Sequence, residues 1–241
     1  MISVQDIFDS YGRKARLFPA FLTILPALVL IGFYTSIFQL KYEHLIWGIV
    51  AGAALYFLAD LARRRGKVVE KALLKEWGGY PSKMLLRHSN KSIDMYTKQR
   101  YHRRAETLIS GLNIPSEPEE TLNPDDADQR YESIVRYLLA NTRDLSKFAL
   151  LLKENINYGF RRNLLGLKPA AISIRIILLL FILWLSKDNI VRLSLPNQPE
   201  LGLLVAGFAE FMIWLFLVTK QNVRESADDY AKQLLASLDN L

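Results

Sequence analysis

Along the chain, apolar residues gather into four blocks separated by strongly polar sequence. Leu17–Leu40 carries no charge, and Leu45–Ala59 none until Asp60. Ala170–Leu185 holds a single charge, Arg175, and Leu201–Thr219 a single one, Glu210. A bilayer core about 30 Å thick is crossed by roughly 20 apolar helical residues. The first block exceeds that length, and the other three reach it with their flanks. So many all-round apolar helices exceed what one soluble core of this size holds. The pattern therefore predicts four transmembrane helices. The first block is too long for the apolar region of a signal peptide and lacks a small-residue cleavage site.

Between the second and third blocks lies the one polar stretch large enough for a domain, Arg63–Lys168. Its opening, Arg63–Trp77, reads as a helix continuing span two, stopped by Gly78-Gly79 with Pro81 holding Tyr80 extended. Asp94–Ser110 reads as a second helix. Leu112–Asp128 (LNIPSEPEETLNPDDAD) has three prolines and six acidic residues and reads as a loop. From Ala127 to Leu167 the steps between Ile134, Leu138, Leu145, Phe148, Leu152 and Ile156 predict one long helix, capped by Asp125 or Asp126. Gln221–Leu241 reads as an amphipathic helix extending span four. The division is thus residues 1–62 (N-terminal segment and spans one and two), 63–168 (helical cap domain), 169–219 (spans three and four) and 220–241 (C-terminal helix).

Charge adds an orientation. The 241 residues carry a formal net charge of +7. Arg13, Lys14 and Arg16 precede span one, Arg63, Arg64, Arg65 and Lys67 follow span two, and Lys220 and Arg224 follow span four. The opposite loops, Lys41–His44 and Ser186–Glu200, hold only Lys41, Lys187 and Arg192. The positive-inside rule then places both termini and the cap domain in the cytoplasm, with Trp47 and Trp184 in the outer aromatic belt. There is no cysteine, which excludes disulfides and thiolate metal sites.

Candidate chemistry lies in three places. Arg63–Gly111 has thirteen Lys/Arg against four Asp/Glu. Within it Lys83, Arg87 and His88, then Lys98, Arg100, Tyr101, His102, Arg103 and Arg104, are a candidate phosphate- and base-binding set, since arginine forks match phosphate and aromatic rings stack bases. Three other readings compete for the same charges: a solvated helix face, contact with anionic headgroups, or neutralisation of the acidic loop. Inside the spans, Arg175 and Glu210 are about one turn apart in depth and form a candidate pore-lining or structural pair, with Asp60 as an alternative partner for Arg175. Pro26, with Thr23 a turn earlier, marks a kink in span one. Finally, Asn157–Pro169 (NYGFRRNLLGLKP) joins the cap to span three. Tyr158, Gly159, Arg161, Arg162 and Gly166 there are candidates for a coupling elbow, with Pro169 in the first turn of the span. No P-loop, HExxH, GxSxG or paired-carboxylate frame is present, and His44, His88 and His102 have no metal-site spacing, so no enzyme and no cofactor is expected.

Several strings stand out together: WGGYPSKMLLR at Trp77–Arg87, TKQRYHR at Thr97–Arg103, NPDDAD at Asn123–Asp128, TRDLSKF at Thr142–Phe148 and ENINYGFRRNLLGLKP at Glu154–Pro169. They cover most of the polar segment and resemble a family of small bacterial membrane proteins of anti-phage defence loci, the channel effectors of the Hailong system. The resemblance implies a symmetric oligomer, a tetramer, forming an ion channel. Its cytoplasmic domain would bind a single-stranded DNA oligomer or nucleotide signal made by a nucleotidyltransferase encoded nearby. Binding would control pore opening and growth arrest. The resemblance assigns no individual ligand contacts. The expectation is an all-α membrane protein with a ligand-gated pore; the alternative is a non-channel anchor or scaffold that recruits a partner to the membrane.

Overall fold

The computed structural model describes residues 10–34, 43–144, 146–187 and 198–241. Leu145, Arg192 and most of the Lys41–His44 and Ser186–Glu200 loops lie outside these, as do the side chains of His44 and Trp47. Among the described residues the regular elements are all helices. A π-helical turn at Gly12–Leu17 runs into α1, Phe18–Tyr34. Then come α2 (Glu43–Trp77), α3 (Pro81–Met84), α4 (Met95–Leu108), α5 (Glu117–Leu122) and α6 (Pro124–Asn141). The chain continues with α7 (Ala149–Leu185), α8 (Gln198–Leu217) and α9 (Lys220–Ala236), closed by a 3-10 turn at Ser237–Asn240.

The chain forms two compact units. The span unit comprises Met1–Glu70 and Gly159–Asn222; the polar unit comprises Lys71–Tyr158 and Val223–Leu241. Among the described residues three helices are long and apolar enough to cross a membrane, at Gly12–Phe33, Ala149–Leu185 and Glu200–Leu217. The second apolar block lies in α2 and is not among them. Phe57, Ile177, Val205 and Phe216 in the span unit are each more than half exposed. Such an outward apolar surface is costly in water and suits hydrocarbon.

Local chemistry sets the helix ends. The second apolar block and Arg63–Trp77 are one helix, as the pattern predicts, and it stops at Gly78 and Gly79, both at positive φ (82° and 142°). The Gly79 N–H turns back to the Leu74 carbonyl at 2.9 Å, and Tyr80 is extended before Pro81. Asp94 caps α4 by accepting from the Thr97 N–H at 2.9 Å.

Five expectations change. The acidic loop contains the short helix α5, which Ser116 and Glu119 start as a reciprocal capping box. Asn123, not Asp125 or Asp126, caps α6, because Pro124 already occupies the first helical position. The long helix from Ala127 breaks after Asn141: Thr142 leaves helical geometry, and Asp144 Oδ1 accepts from Ser146 and Lys147 N–H to prepare the next helix. Conversely, α7 passes through 157–169 unbroken, with Pro169 inside it, so the elbow is no elbow in the backbone. The C-terminal helix is likewise separate from α8, since Thr219 Oγ1 accepts from Asn222 N–H at 3.2 Å and begins a new helix.

Candidate functional site

The polar unit packs around Leu85, Leu86, Tyr101, Ala105, Tyr131, Ile134, Leu138, Phe148, Leu151, Leu234 and Leu238. These come from α4, α6, α9 and the 3-10 turn that closes it, the segment after α3, and the start of α7 with the residue before it. Tyr101, proposed to stack a base, is 7% exposed and belongs to this core.

Three of the six predicted Lys and Arg ligands are held internally. Arg87 forks onto Asp128, with Nε to Oδ1 at 2.9 Å and Nη2 to Oδ2 at 2.7 Å, and Lys83 reaches the same carboxylate at 2.9 Å. Burial opposes that carboxylate's charge, but the Arg87 and Lys83 bonds outweigh it and keep its pKa below the usual range. Lys98 is buried, donating Nζ to the Arg87 carbonyl at 2.7 Å and to the Asn90 carbonyl. Burial lowers its pKa. Glu120, in the acidic helix α5, accepts from the Tyr131 hydroxyl at 2.6 Å and from the His88 backbone N–H at 2.9 Å. The His88 ring meets the Pro115 carbonyl at 2.8 Å. Neutralising the acidic segment is therefore what Lys83 and Arg87 do, and pinning it is what His88 does.

His102 lies at the centre of this network, 6% exposed, its ring stacked on Tyr131 and edge-on to His88. Its Nε2–H donates to the Leu86 carbonyl at 2.8 Å. Burial pushes its pKa down to about 4 from an ordinary 6.5. Above pH 6.5 the ring is neutral whether the chain is folded or not. As pH falls from 6.5 to 4, the unfolded chain takes up a proton that the folded chain refuses, so stability falls, by a total on the order of 3 kcal/mol. Chemical denaturation across pH 7 to 4 should show this slope, and His102→Gln, which can still donate to Leu86, should flatten it. A slope unchanged in the variant would assign it to other groups.

What remains is a stripe on α4. Tyr96, Gln99, Arg100, Arg103, Arg104 and Thr107 recur at three- and four-residue steps and line one shallow open hollow. Tyr96 is 75% exposed. Arg103 and Arg104 form no ion pair among the described residues, whereas Arg100 pairs with Asp239 at 3.0 Å. Of the nine predicted ligand residues, the structure brings together Arg100, Arg103 and Arg104, and adds Tyr96, which lies one turn before Arg100. A helical wheel of Met95–Leu108 would have found it; reading the run KQRYHRR linearly did not.

In the span unit, α7 presents polar groups that satisfy backbone carbonyls of other helices. Proline lacks an N–H and leaves the carbonyl four residues earlier without its helical donor. Pro26 does this to Leu22, and Arg175 Nη2 donates to the Leu22 carbonyl at 3.0 Å. Arg175 Nη1 donates to the Ala171 carbonyl at 3.1 Å and to the Thr23 carbonyl at 3.4 Å. The Ala15 carbonyl, in the π-helical turn ahead of α1, accepts from Asn163 Nδ2 at 2.7 Å. Lys168 Nζ caps the end of α8, donating to the Leu215 and Val218 carbonyls at 2.8 Å each. In a low-dielectric setting each unpaired carbonyl is costly, so one helix supplying the missing donors holds the others in register.

Arg175 is 2% exposed, contacts Glu210 Oε2 at 3.4 Å, and stacks over Trp214 at 4.8 Å. The predicted pair thus exists as an ion contact, though without hydrogen-bond geometry. Asp60 is instead paired with Arg64 at 2.6 Å.

The remaining elbow candidates form a helix-crossing face. Gly159, Arg162, Asn163 and Gly166 recur at three- and four-residue steps. Arg162 pairs with Glu70 at 2.9 Å, and Gly166 lies so close to α2 that a Cβ would stand 2.6 Å from the Gly66 nitrogen. Gly159 faces Tyr11 and Ala15. Tyr158 belongs to the polar unit, stacked on Tyr230, and Arg161 is half-buried without an ion pair among the described residues. Asn163 went unnoticed in the sequence because a single amide has no periodicity.

Comparison with known protein families, with characterised proteins and with solved structures finds no match to this chain.

Proposed function

We propose that this chain is a ligand-gated membrane channel, the effector of a bacterial anti-phage defence system. Its basic helical unit binds a polyanion, a DNA oligomer or other nucleotide signal made by a partner nucleotidyltransferase. In this reading four helices cross the inner membrane, the fourth being Leu45–Ala59 in α2, with both termini and the polar unit in the cytoplasm. Copies assemble as a symmetric tetramer around a pore, and no reaction is catalysed. The observation that supports ligand binding is the α4 stripe: Arg103 and Arg104, without ion pairs among the described residues, beside Arg100 and the exposed ring of Tyr96. Guanidinium forks match phosphate oxygens, and an exposed ring stacks a base. The strings around Glu154–Pro169 supply the defence setting by resemblance.

The double variant Arg103→Gln/Arg104→Gln should bind a single-stranded oligodeoxynucleotide about tenfold more weakly at low salt. Its salt dependence should be shallower by about 1.4 units of log–log slope, close to 0.7 for each of the two lost phosphate contacts. Unchanged affinity and slope in fluorescence anisotropy would remove the stripe as the ligand site. Proteoliposomes test the other half: ion flux that responds to the oligonucleotide supports the channel, and vesicles that stay tight under all conditions refute it. One observation favours the anchor or scaffold instead. Arg175 directs its guanidinium to backbone carbonyls, an arrangement suited to locking helices together.

A further inference from the structure

The three arginines of the α4 stripe are not equivalent. Arg100 Nε donates to Asp239 Oδ1 and its Nη2 to Asp239 Oδ2, at 3.0 Å each, so one whole edge of the guanidinium is closed by a carboxylate. Arg103 and Arg104 have no such acid among the described residues. The Arg100 guanidinium also lies 5.5 Å from the centre of the Tyr101 ring, which belongs to the core. Two parallel N–H donors facing two oxygens is the geometry with which arginine takes a phosphate. Asp239 therefore stands where a phosphate bound to Arg100 would stand.

Many exposed ion pairs are passive, because two long side chains lose entropy in holding one geometry. Here the acid is short and its backbone is fixed. Asp239 belongs to the 3-10 turn Ser237–Asn240, and the two residues before it are anchored. Leu238 is fully buried in the core of the polar unit, and the buried Ser237 hydroxyl donates to the Leu234 carbonyl. The backbone thus delivers the carboxylate to one place beside α4, 139 residues from its partner in sequence. A tethered group competes at an effective concentration that a dissolved ligand matches only at about millimolar levels. A phosphate approaching the other edge of the guanidinium meets the Asp239 charge as well, and like charges that close repel.

We propose that Asp239 is an internal competitor for the polyanion. Its carboxylate replaces a phosphate on Arg100, so the stripe engages its ligand chiefly through Arg103 and Arg104 and holds the third arginine back. The inference rests on the stripe as the ligand site and adds its regulation: drawing the Ser237–Asn240 turn away from α4 frees Arg100 and tightens binding. The effect has an upper bound. An ion pair whose side chains are 57% and 38% exposed biases its arginine by about fivefold at most.

The test is a double-mutant cycle on the full chain in detergent micelles, read by fluorescence anisotropy of a labelled oligodeoxythymidylate over a salt series. Asp239→Asn, which keeps the shape and removes the charge, should bind about threefold more tightly than wild type. Its log–log salt slope should be steeper by about 0.7, one further phosphate contact. Adding Arg100→Gln to Asp239→Asn should remove both gains, so Arg100→Gln costs about threefold more in that background than in wild type. Both side chains face solvent, so all four proteins should unfold at similar temperatures. No gain in Asp239→Asn overturns the proposal, since Arg100 is then as available with the acid as without it. A gain that survives Arg100→Gln overturns it too, because the loss of a negative charge near the ligand then explains it without the pair. In both cases, binding that still depends on Arg103 and Arg104 leaves the stripe standing as the ligand site. If none of the four proteins binds the oligonucleotide, the stripe reading falls and takes this proposal with it.

Discussion

Arg175→Gln destabilises the span unit by about 3 kcal/mol, the lower end of the range for breaking a buried ion pair, because Glu210 retains some exposure. Two losses combine. Glu210 is left facing an apolar cavity without its cation, and the Leu22 carbonyl, deprived of its helical donor by Pro26, loses the guanidinium that replaces it. The second loss can be isolated. Pro26→Ala restores an N–H to the Leu22 carbonyl, so Arg175→Gln should cost about 1 kcal/mol less in the Pro26→Ala background. Denaturation by SDS in mixed micelles, run on the four proteins of the cycle, measures both numbers. Additive costs would mean that the contact to Leu22 contributes nothing. Arg175→Lys keeps the charge but not the planar fork, and should fall between wild type and Arg175→Gln.

Gly166→Ala comes next in size, at about 2–3 kcal/mol. The new Cβ would stand 2.6 Å from the Gly66 nitrogen and 2.7 Å from the Arg65 carbonyl carbon, and backbone on another helix cannot turn aside. The helices must separate, which also strains the Arg162–Glu70 pair a turn earlier on α7. Alanine's better helix propensity returns about 1 kcal/mol, too little to compensate. Gly159→Ala is the internal control. There the nearest atom, at 2.6 Å, is the Tyr11 hydroxyl, the far end of a side chain that can move. With propensity offsetting the displacement, that variant should lie within about 1 kcal/mol of wild type in the same assay. Equal losses at both glycines would show that the crossing is not set by backbone contact.

The candidate site was legible in its composition but not in its membership. Linear reading finds the dense positive charge of Lys83–Arg104, and helical periodicity finds the elements that carry it. Neither says which cations face inward. That depends on Asp128 and Glu120, each more than fifteen residues beyond Arg104, the last cation of that run, folding back onto α3 and the segment that follows it. Once they do, Lys83 and Arg87 are committed to ion pairs and Lys98 to backbone carbonyls. The chemistry available to a ligand contracts to the outward stripe of α4. Boundaries failed where a cap overrode periodicity. Asp144 starts a helix in the middle of an apolar repeat, and Ser116 with Glu119 builds one inside an acidic, proline-rich loop.

By itself, then, the sequence determined that the chain is helical and that helices long and apolar enough for a membrane alternate with a basic polar segment. Those properties follow from local periodicity and from the free energy of apolar transfer, which neighbouring residues carry wherever they stand. The tertiary structure alone decided what the isolated polar residues do. Asn163 and Arg175 are a lone amide and a lone charge in sequence. In space each meets a backbone carbonyl of a distant segment, and the one that Arg175 meets has lost its helical donor to Pro26. A hydrogen bond needs two partners within about 3 Å, and the chain brings those partners together only when α1 and α7 are side by side.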